Sequence, residues 1–343
     1  MEDNSNKMTR RRFLQVGGSL VLGTAFVAVV GRSLWKMLTN PADLFHEATP
    51  MVGGKSAAGG SPSFVSPYRR TFAFEVPDDI VALEMLDDHI AVATTNNIHL
   101  YGLDGTLDNS FPVPSSLRDM AVYDHRLYLL FPARIEVYDA QGERLRQWQA
   151  CSDDADYCQL TVLEGGVFVT DASAKLICQY HLDGTLARFI KSPNGFVVPS
   201  YSFAITHIGS SVYCSNPGRH LVERYTTDGT YVDAFGKAGA GDGAFSGCCN
   251  PVQVTPTATG ELLTSEKGVP RISCYTADGQ FQATLLDSQA LGGGHAAYDV
   301  RVAGDRLVVA GGRRIGVYQM DGRRTAQTLC GSCTLDCALK VRS

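Results

Sequence analysis

Three cysteines near the C-terminus form the pattern in this sequence with the clearest chemical meaning. Cys330, Cys333 and Cys337 have the spacing C-x2-C-x3-C. Two thiolates separated by two residues can bind one metal ion, and a third supplies most of the ligand shell of zinc or of an iron–sulfur cluster. A fourth ligand could come from Cys248, Cys249 or His295. A zinc or iron–sulfur site is therefore one interpretation of this tail.

The N-terminal segment predicts export from the cytoplasm. It contains Arg10, Arg11, Arg12, Phe13 and Leu14, followed by an apolar stretch over residues 16–30. A charged start and a short apolar core this close to the N-terminus are typical of a targeting segment. Arginines followed by this apolar pair resemble the twin-arginine motif. The resemblance implies the twin-arginine translocase as a partner and a periplasmic or other extracytoplasmic location, and it often accompanies a cofactor inserted before export.

Residues 1–36 could be a cleaved signal or a retained anchor helix. No small-residue cleavage site closes the apolar run. A basic start followed by about 18 apolar residues could stay in the inner membrane with its N-terminus inside. Both outcomes remain open. Residues 37–69 are rich in Pro and Gly with little periodicity, which predicts a flexible linker.

Disulfide bonds are the favoured interpretation of the cysteines. The chain has ten, and an even number in an exported protein usually indicates disulfides. Cys151 and Cys158 flank a short acidic loop and are expected to bond to each other. Cys248 and Cys249 are adjacent, so a bond between them would strain the peptide and we expect them to bond elsewhere, for example to the tail. Free or redox-active thiols are a third interpretation, although no Lys or His lies within two residues of the C-x2-C pair to stabilise a thiolate.

A motif repeated six times predicts the fold. Tyr, two further residues, Asp or Gln, and then Gly recur at intervals of 37 to 50 residues. The tyrosines are Tyr101, Tyr138, Tyr180, Tyr225, Tyr275 and Tyr318. Strand-like runs flank each turn, and a repeat of this period is typical of a β-propeller with one blade per copy. We therefore predict an all-β, six-bladed propeller with four-stranded blades over residues 70–329, followed by a cysteine-rich tail over residues 330–343.

Each repeat can be divided into four strands. In the fifth copy they are expected at residues 252–255, 262–265, 271–275 and 280–286, with the Asp278-Gly279 hairpin before the outermost strand. The other inner strands are expected near residues 80–85, 120–123, 160–163, 203–207 and 298–302. Residues 71–76 could close the ring by joining the last blade. The repeated tyrosine is expected to pack between blades rather than to act in catalysis.

The fifth repeat resembles the NHL repeat. The residues that carry the resemblance are Phe235, Gly236, Lys237, Gly239, Gly241, Gly243, Phe245, Pro251, Glu266, Arg271 and Ile272. The match is looser in the other repeats. The resemblance implies a six-bladed NHL-type propeller, a group that includes scaffolds, binding modules and a few lyases or lactonases. Glu266 is expected to have a structural role, and His207 is expected to be a core or channel histidine.

The strand order predicts which face of the propeller carries the cysteines. In an antiparallel blade, the incoming loop from the previous blade and the loop between strands two and three lie on one face, and the Asp-Gly turns lie on the other. Cys151 and Cys158, and then Cys248 and Cys249, fall in incoming loops, and His295 lies in another. The tail is expected to follow an outermost strand and so to begin on that face. Cys178, Cys214 and Cys274 lie inside strands and are expected to be core thiols.

These features favour a non-catalytic binding or accessory module whose protein partner docks on the cysteine-bearing face, in a redox or respiratory assembly. The net charge of −5 and the scattered basic residues argue against nucleic acid as a partner. A metal or iron–sulfur protein is the first alternative, and a propeller lactonase or lyase is the second. The sequence identifies no catalytic triad, no nucleotide-binding loop and no set of three histidines at matching positions.

Overall fold

Six four-stranded antiparallel sheets form the blades of a β-propeller in the computed structural model, which describes residues 66–295 and 297–321. The innermost strand of each blade contacts the innermost strands of both neighbouring blades, so the six inner strands form a closed ring. The predicted all-β, six-bladed propeller is confirmed.

The first three blades follow one another along the chain after a single preceding strand. That strand is Tyr68–Glu75 (β1). Blade one contains Ile80–Leu86 (β2), His89–Thr94 (β3), Asn97–Gly102 (β4) and Leu107–Pro112 (β5). Blade two contains Asp119–Tyr123 (β6), Arg126–Phe131 (β7), Arg134–Tyr138 (β8) and Arg144–Gln149 (β9). Blade three contains Tyr157–Leu163 (β10), Gly166–Asp171 (β11), Leu176–Tyr180 (β12) and Leu186–Ile190 (β13).

The last three blades include the short helical segments. Blade four contains Ile205–Ile208 (β14), Ser211–Asn216 (β15), Leu221–Thr226 (β16) and Tyr231–Phe235 (β17), with 3-10 turns at Pro199–Tyr201 and Pro217–Arg219. Blade five contains Gln253–Pro256 (β18), Leu262–Glu266 (β19), Arg271–Tyr275 (β20) and Phe281–Leu286 (β21). Helix α1, Ser288–Leu291, precedes blade six, which contains Asp299–Ala303 (β22), Arg306–Gly311 (β23) and Arg314–Met320 (β24).

Strand β1 closes the ring by completing blade six. It pairs antiparallel with β24, from Tyr68 opposite Met320 to Glu75 opposite Arg314. The backbone N–H of Val76 extends this pairing by donating to the carbonyl of Arg313 at 2.8 Å. The expectation that the segment before the first repeat joins the last blade is confirmed.

This closure overturns the argument by which the tail was expected on the cysteine-bearing face. The last described strand, β24, is the third strand of blade six, and the outermost strand of that blade is β1. The described chain therefore ends at Asp321 on the face that carries the Asp-Gly turns, where its N–H donates to the carbonyl of Pro67 at 2.9 Å. The topological reason for placing the tail on the cysteine-bearing face was wrong. Cys330, Cys333 and Cys337 themselves lie outside the described residues.

The repeated motif has the predicted structural roles. All six tyrosines are buried, in the hydrophobic clusters formed by the blades. Gly105, Gly142, Gly184, Gly229 and Gly279 all have positive φ, which their hairpins require. The observed inner strands begin within three residues of the predicted positions. The cores of the blades include Cys178, Cys214 and Cys274, each fully buried as expected.

No helix among the described residues is long and apolar enough to cross a membrane. The predicted signal or anchor at residues 1–36 and most of the predicted linker lie outside the described residues.

Substituting two glycines that have similar φ angles distinguishes the effect of φ on stability from the effect of packing on stability. Gly279 has φ +83° and a Cβ there would lie 2.3 Å from the Phe235 side chain, whereas Gly260 has φ +91° and no atom within 4 Å of such a Cβ. We expect Gly260→Ala to lower the free energy of unfolding by about 1 kcal/mol, and Gly279→Ala to lower it by about 2–4 kcal/mol. Urea unfolding measures both changes, and equal losses would contradict a packing role for the repeated turn.

Candidate functional site

One face of the propeller carries the incoming loops and the loops between strands two and three, and we call it the cysteine face. Two of its loops, both in blade five, are joined by Asn250. Its side-chain amide donates to the carbonyls of Ser246 at 2.6 Å and Lys267 at 2.9 Å, and its oxygen accepts from the Lys267 N–H at 2.9 Å. Asn250 is buried, so the loop that carries the two preceding cysteines is held against its neighbour.

Thiol and imidazole groups lie around these joined loops. Cys248 is exposed, and its Sγ lies 3.8 Å from that of Cys249. The Nε2 of His220 forms a hydrogen bond with the carbonyl of Gly247. His295, in the incoming loop of blade six, lies beside Gly268 in the loop after β19. The structure therefore brings Cys248, Cys249 and His295 to neighbouring loops of one face.

A metal centre cannot be assembled from the part of the chain that the structure describes. Within residues 66–295 and 297–321, no group of three or more His, Cys, Asp or Glu side chains could hold a metal ion. Of the six candidate ligands, only Cys248, Cys249 and His295 are described, and a zinc or iron–sulfur site would need the tail.

The cysteines of blade three differ from the predicted pairing. None of the seven cysteines within the described residues is disulfide-bonded, and Cys158 donates from Sγ to the carbonyl of Asp156 at 3.7 Å. The expected Cys151–Cys158 bond is not formed. Instead, the Sγ of Cys151 lies 3.7 Å from the Sγ of Cys178, a strand residue expected to be only a core thiol. Burial raises the pKa of Cys158 to about 12.

Exposed apolar side chains distinguish the cysteine face from the rest of the surface. Among the described residues, most exposed large apolar side chains lie on outermost strands, namely Phe72, Leu107, Leu145, Leu186, Phe189 and Val232. The others lie in loops, and all of these are on the cysteine face. They are Val197 and Tyr201 in the incoming loop of blade four and Val269 in the loop after β19, with exposures of 42%, 59% and 64%.

The loop that presents Tyr201 is hydrogen-bonded to a buried glutamate near its start and has an unfavourable backbone conformation at Tyr201 itself. Buried Glu223 accepts hydrogen bonds from Ser192 at 2.9 Å and from the Asn194 side chain at 3.1 Å. Ser200 and Tyr201 have φ of 60° and 57°. Left-handed conformations at two consecutive non-glycine residues are unfavourable, and such strain is common at binding sites.

An arginine links this loop to the incoming loops of blades two and three. The guanidinium of Arg118 lies 5.8 Å from the centre of the Tyr201 ring and donates to the carboxylate of Asp156 at 3.2 Å. Loops leading into blades two, three and four are therefore in contact on the cysteine face.

A cavity of about 240 Å³ lies among the inner strands of all six blades. Its polar lining includes Glu84, Asp119, Gln159, Thr161, Thr206, His207, Gln253, Thr255 and Arg301. The Nδ1 of His207 is 2.8 Å from the Thr161 hydroxyl, and burial lowers the pKa of His207, so His207 is a hydrogen-bonded channel residue as expected.

Three acidic side chains surround one arginine at this cavity. Arg301 pairs with Glu84 at 2.9 Å and with Asp299. Burial alone would lower the pKa of Arg301, but Asp299 and Glu84 raise it. Burial raises the pKa of Glu84 and raises that of Asp119 to about 8, even though Asp119 accepts from the N–H of Leu160 at 2.9 Å.

Sequence reasoning missed both the charged cavity and Tyr201. Glu84 and Arg301 are more than 200 residues apart, and only the charged residues inside otherwise apolar strands could have indicated the cavity. The structural role expected of Glu266 is observed: it is buried and pairs with Arg271 at 2.5 Å.

Comparison with known proteins establishes the fold alone. No protein-family profile matches this chain, and no curated protein sequence matches it. A virginiamycin B lyase from Staphylococcus aureus, crystallised with quinupristin, superposes with a TM-score of 0.53 and 12% identity over 74% of this chain and 100% of that chain. A streptogramin B lyase superposes with a TM-score of 0.52 and 16% identity over 73% of this chain and 98% of that chain.

The raised pKa of Asp119 predicts how stability changes with pH. The folded protein keeps this proton up to about pH 8, whereas the unfolded chain loses it near pH 4, so stability falls as the pH rises between these values. The slope from this group is at most about 1.4 kcal/mol per pH unit. Asp119→Asn retains an acceptor for Leu160 and cannot ionise, so we expect it to lose less stability than the parent between pH 5 and pH 8. Parallel profiles in urea unfolding would contradict this.

Proposed function

We propose that this chain is an exported, non-catalytic binding module whose protein partner docks on the cysteine face, as part of a redox or respiratory assembly. The observation that carries the proposal is the position of Val197, Tyr201 and Val269, the exposed large apolar side chains that lie in loops of that face. Exposed tyrosines in particular are enriched among the residues that anchor protein interfaces.

Tyr201 has the properties of an interface anchor. Tyrosine is enriched among the residues that dominate binding energy because its ring provides a large contact area with little loss of conformational entropy. Its loop is held at the base by Glu223, and the guanidinium of Arg118 lies over the ring. The ring is thus already positioned before a partner arrives, which lowers the entropic cost of binding.

The cysteines connect this face with the proposed assembly. Cys151, Cys248 and Cys249 all lie in incoming loops of the cysteine face, and none is fully buried. The twin-arginine-like N-terminus supports an extracytoplasmic location, in which such thiols would meet oxidants. The NHL-like fifth repeat is consistent with a binding role, since that group includes binding modules.

The central cavity favours a second candidate, a propeller lyase or lactonase. A buried carboxyl with a pKa of about 8 would be largely protonated at neutral pH and could donate a proton to a small substrate. Asp119 lines the central cavity of about 240 Å³, where a small substrate could lie beside it. The carboxylates of Glu84 and Asp299 are each paired with Arg301. Asp119 is therefore the carboxylic acid that would donate the proton in this candidate.

Photo-crosslinking tests the docking proposal. We would replace Tyr201 by p-benzoylphenylalanine in the full chain and irradiate cells of the native host. We expect a discrete adduct, containing this chain and one other protein, in the extracytoplasmic fraction. The matched control carries the same amino acid at Phe189, which is 51% exposed on the outermost strand β13.

Three results would overturn the docking proposal: equal adducts at both positions, adducts only in the cytoplasm, or no adduct at position 201. An adduct containing two copies of this chain would also contradict it, because the face would then be a homodimer interface.

Metal analysis of the anaerobically purified full chain separates the binding module from the metal-protein alternative. We expect substoichiometric iron and zinc and no cluster absorbance in the visible spectrum. Stoichiometric metal that is lost in Cys333→Ser and kept in the neighbouring control Ser332→Ala would instead establish the C-x2-C-x3-C tail as a metal site.

A further inference from the structure

Blade three holds two cysteine sulfurs in contact. The Sγ atoms of Cys151 and Cys178 are 3.7 Å apart, although 27 residues separate them in the chain. Cys151 is the second residue of the incoming loop between β9 and β10, whereas Cys178 lies at the centre of β12, paired with β11 and β13. A disulfide needs a sulfur–sulfur distance of about 2.05 Å. A small movement of the loop can supply the difference, while the strand stays in place.

Two buried tyrosines hold the loop cysteine in this position. The backbone N–H of Cys151 donates to the hydroxyl of Tyr180 at 3.1 Å and to that of Tyr157 at 3.4 Å. Tyr180 follows Cys178 by two residues on the same strand, so the hydrogen bond brings the start of the loop to β12. The two tyrosine hydroxyls are also hydrogen-bonded to each other. The sulfur contact is therefore built into the local hydrogen bonding.

We propose that Cys151 and Cys178 are a redox modification site, oxidised to a disulfide by a small-molecule disulfide such as oxidised glutathione. Cys151 loses its thiol proton and attacks one sulfur of the oxidant. The Cys151 Sγ forms a mixed disulfide with that half of the oxidant, and the other half leaves as a thiolate. Cys178 then loses its proton and attacks the Sγ of Cys151, and the second thiolate leaves. The two protein thiols lose two electrons and two protons, and the oxidant becomes two thiols.

The surroundings of the two thiols set this order. Cys151 is an exposed residue, whereas Cys178 is fully buried. Burial, and then the neighbouring Cys151, raise the pKa of Cys178, so its thiolate is scarce and it reacts second. Cys158, predicted from sequence as the partner of Cys151, is buried in a different hydrophobic cluster from Cys178.

The bond would restrain part of the cysteine face. It would tie the incoming loop of blade three to β12, and the same loop carries Asp156. Asp156 pairs with Arg118, which in turn lies over the ring of Tyr201. Oxidation would thus stiffen a loop adjoining Tyr201, while the chemistry of the bond itself needs no docking partner.

Peptide mapping of the purified full chain tests the proposal. The protein is incubated with oxidised glutathione, or with dithiothreitol, then alkylated and digested with trypsin. In the Cys158→Ala variant, peptide 147–175 contains only Cys151 and peptide 176–188 contains only Cys178. We expect these two peptides to be linked after oxidation and separately alkylated after reduction. We also expect oxidation to raise Tm by about 5 °C or more, because the bond closes a long loop.

Cys151→Ser is the second variant, and it changes a loop residue outside the core. It should fold, lack the linked peptide and lose most of the increase in Tm on oxidation. The proposal is overturned if Cys151 stays open to alkylation after oxidation, if it links to Cys158 in the parent chain, or if it links to Cys248, Cys249 or the tail. Because the readout is a covalent link in purified protein, failure of the docking proposal would leave it unaffected.

Discussion

The pairing of β1 with β24 is the constraint on which the rest of this molecule depends. It joins the two ends of the described chain in one sheet and turns a row of blades into a ring. The closed ring brings the first inner strand beside the last. Across that seam, Asp299 accepts from the N–H of Leu83 at 3.0 Å and Arg301 pairs with Glu84. The central cavity exists only because this seam is closed.

Closing the ring buries charged side chains where blade one meets blade six, and these charges must be compensated. An arginine with low exposure is compatible with folding only when carboxylates and hydrogen-bond acceptors replace its lost water. Arg301 has Glu84, Asp299, the Thr255 hydroxyl at 3.2 Å and the carbonyl of Val300 at 2.8 Å. Asp119 forms no ion pair among the described residues, and burial raises its pKa more than the nearby Arg301 lowers it, so the protonated form is favoured. The same ring thus contains a satisfied ion pair and a carboxyl with an altered pKa.

The alternation of strands divides the remaining features between two faces. The Asp-Gly turns occupy one face, where their glycines pack against aromatic and aliphatic side chains of the neighbouring blade. The cysteine face has longer incoming loops, one of which presents Tyr201 to solvent. Asn250 joins the incoming loop of blade five to the loop after β19, and Arg118 joins the incoming loops of blades two, three and four. The described cysteines lie either in the blade cores or on the cysteine face. Cys214 and Cys274 fill blade cores, Cys248 is exposed, and Cys151 in a loop contacts Cys178 in a strand.

The sequence by itself determined the number of blades, the positions of the inner strands and the role of the repeated tyrosine. These features follow from short-range patterns, because a hairpin and its flanking strands are contiguous in the chain. The burial of Cys178, Cys214 and Cys274 and the structural role of Glu266 were predictable for the same reason.

Only the tertiary structure decided which distant residues meet. Ring closure assigned the last outermost strand to the N-terminal end, so the described chain ends at Asp321 on the face of the Asp-Gly turns. Folding of a loop onto β12 gave Cys151 a neighbour in Cys178 rather than in Cys158. The Arg301 cluster likewise joins residues from the first and last blades, because contacts between such distant residues are set by the closure of the ring.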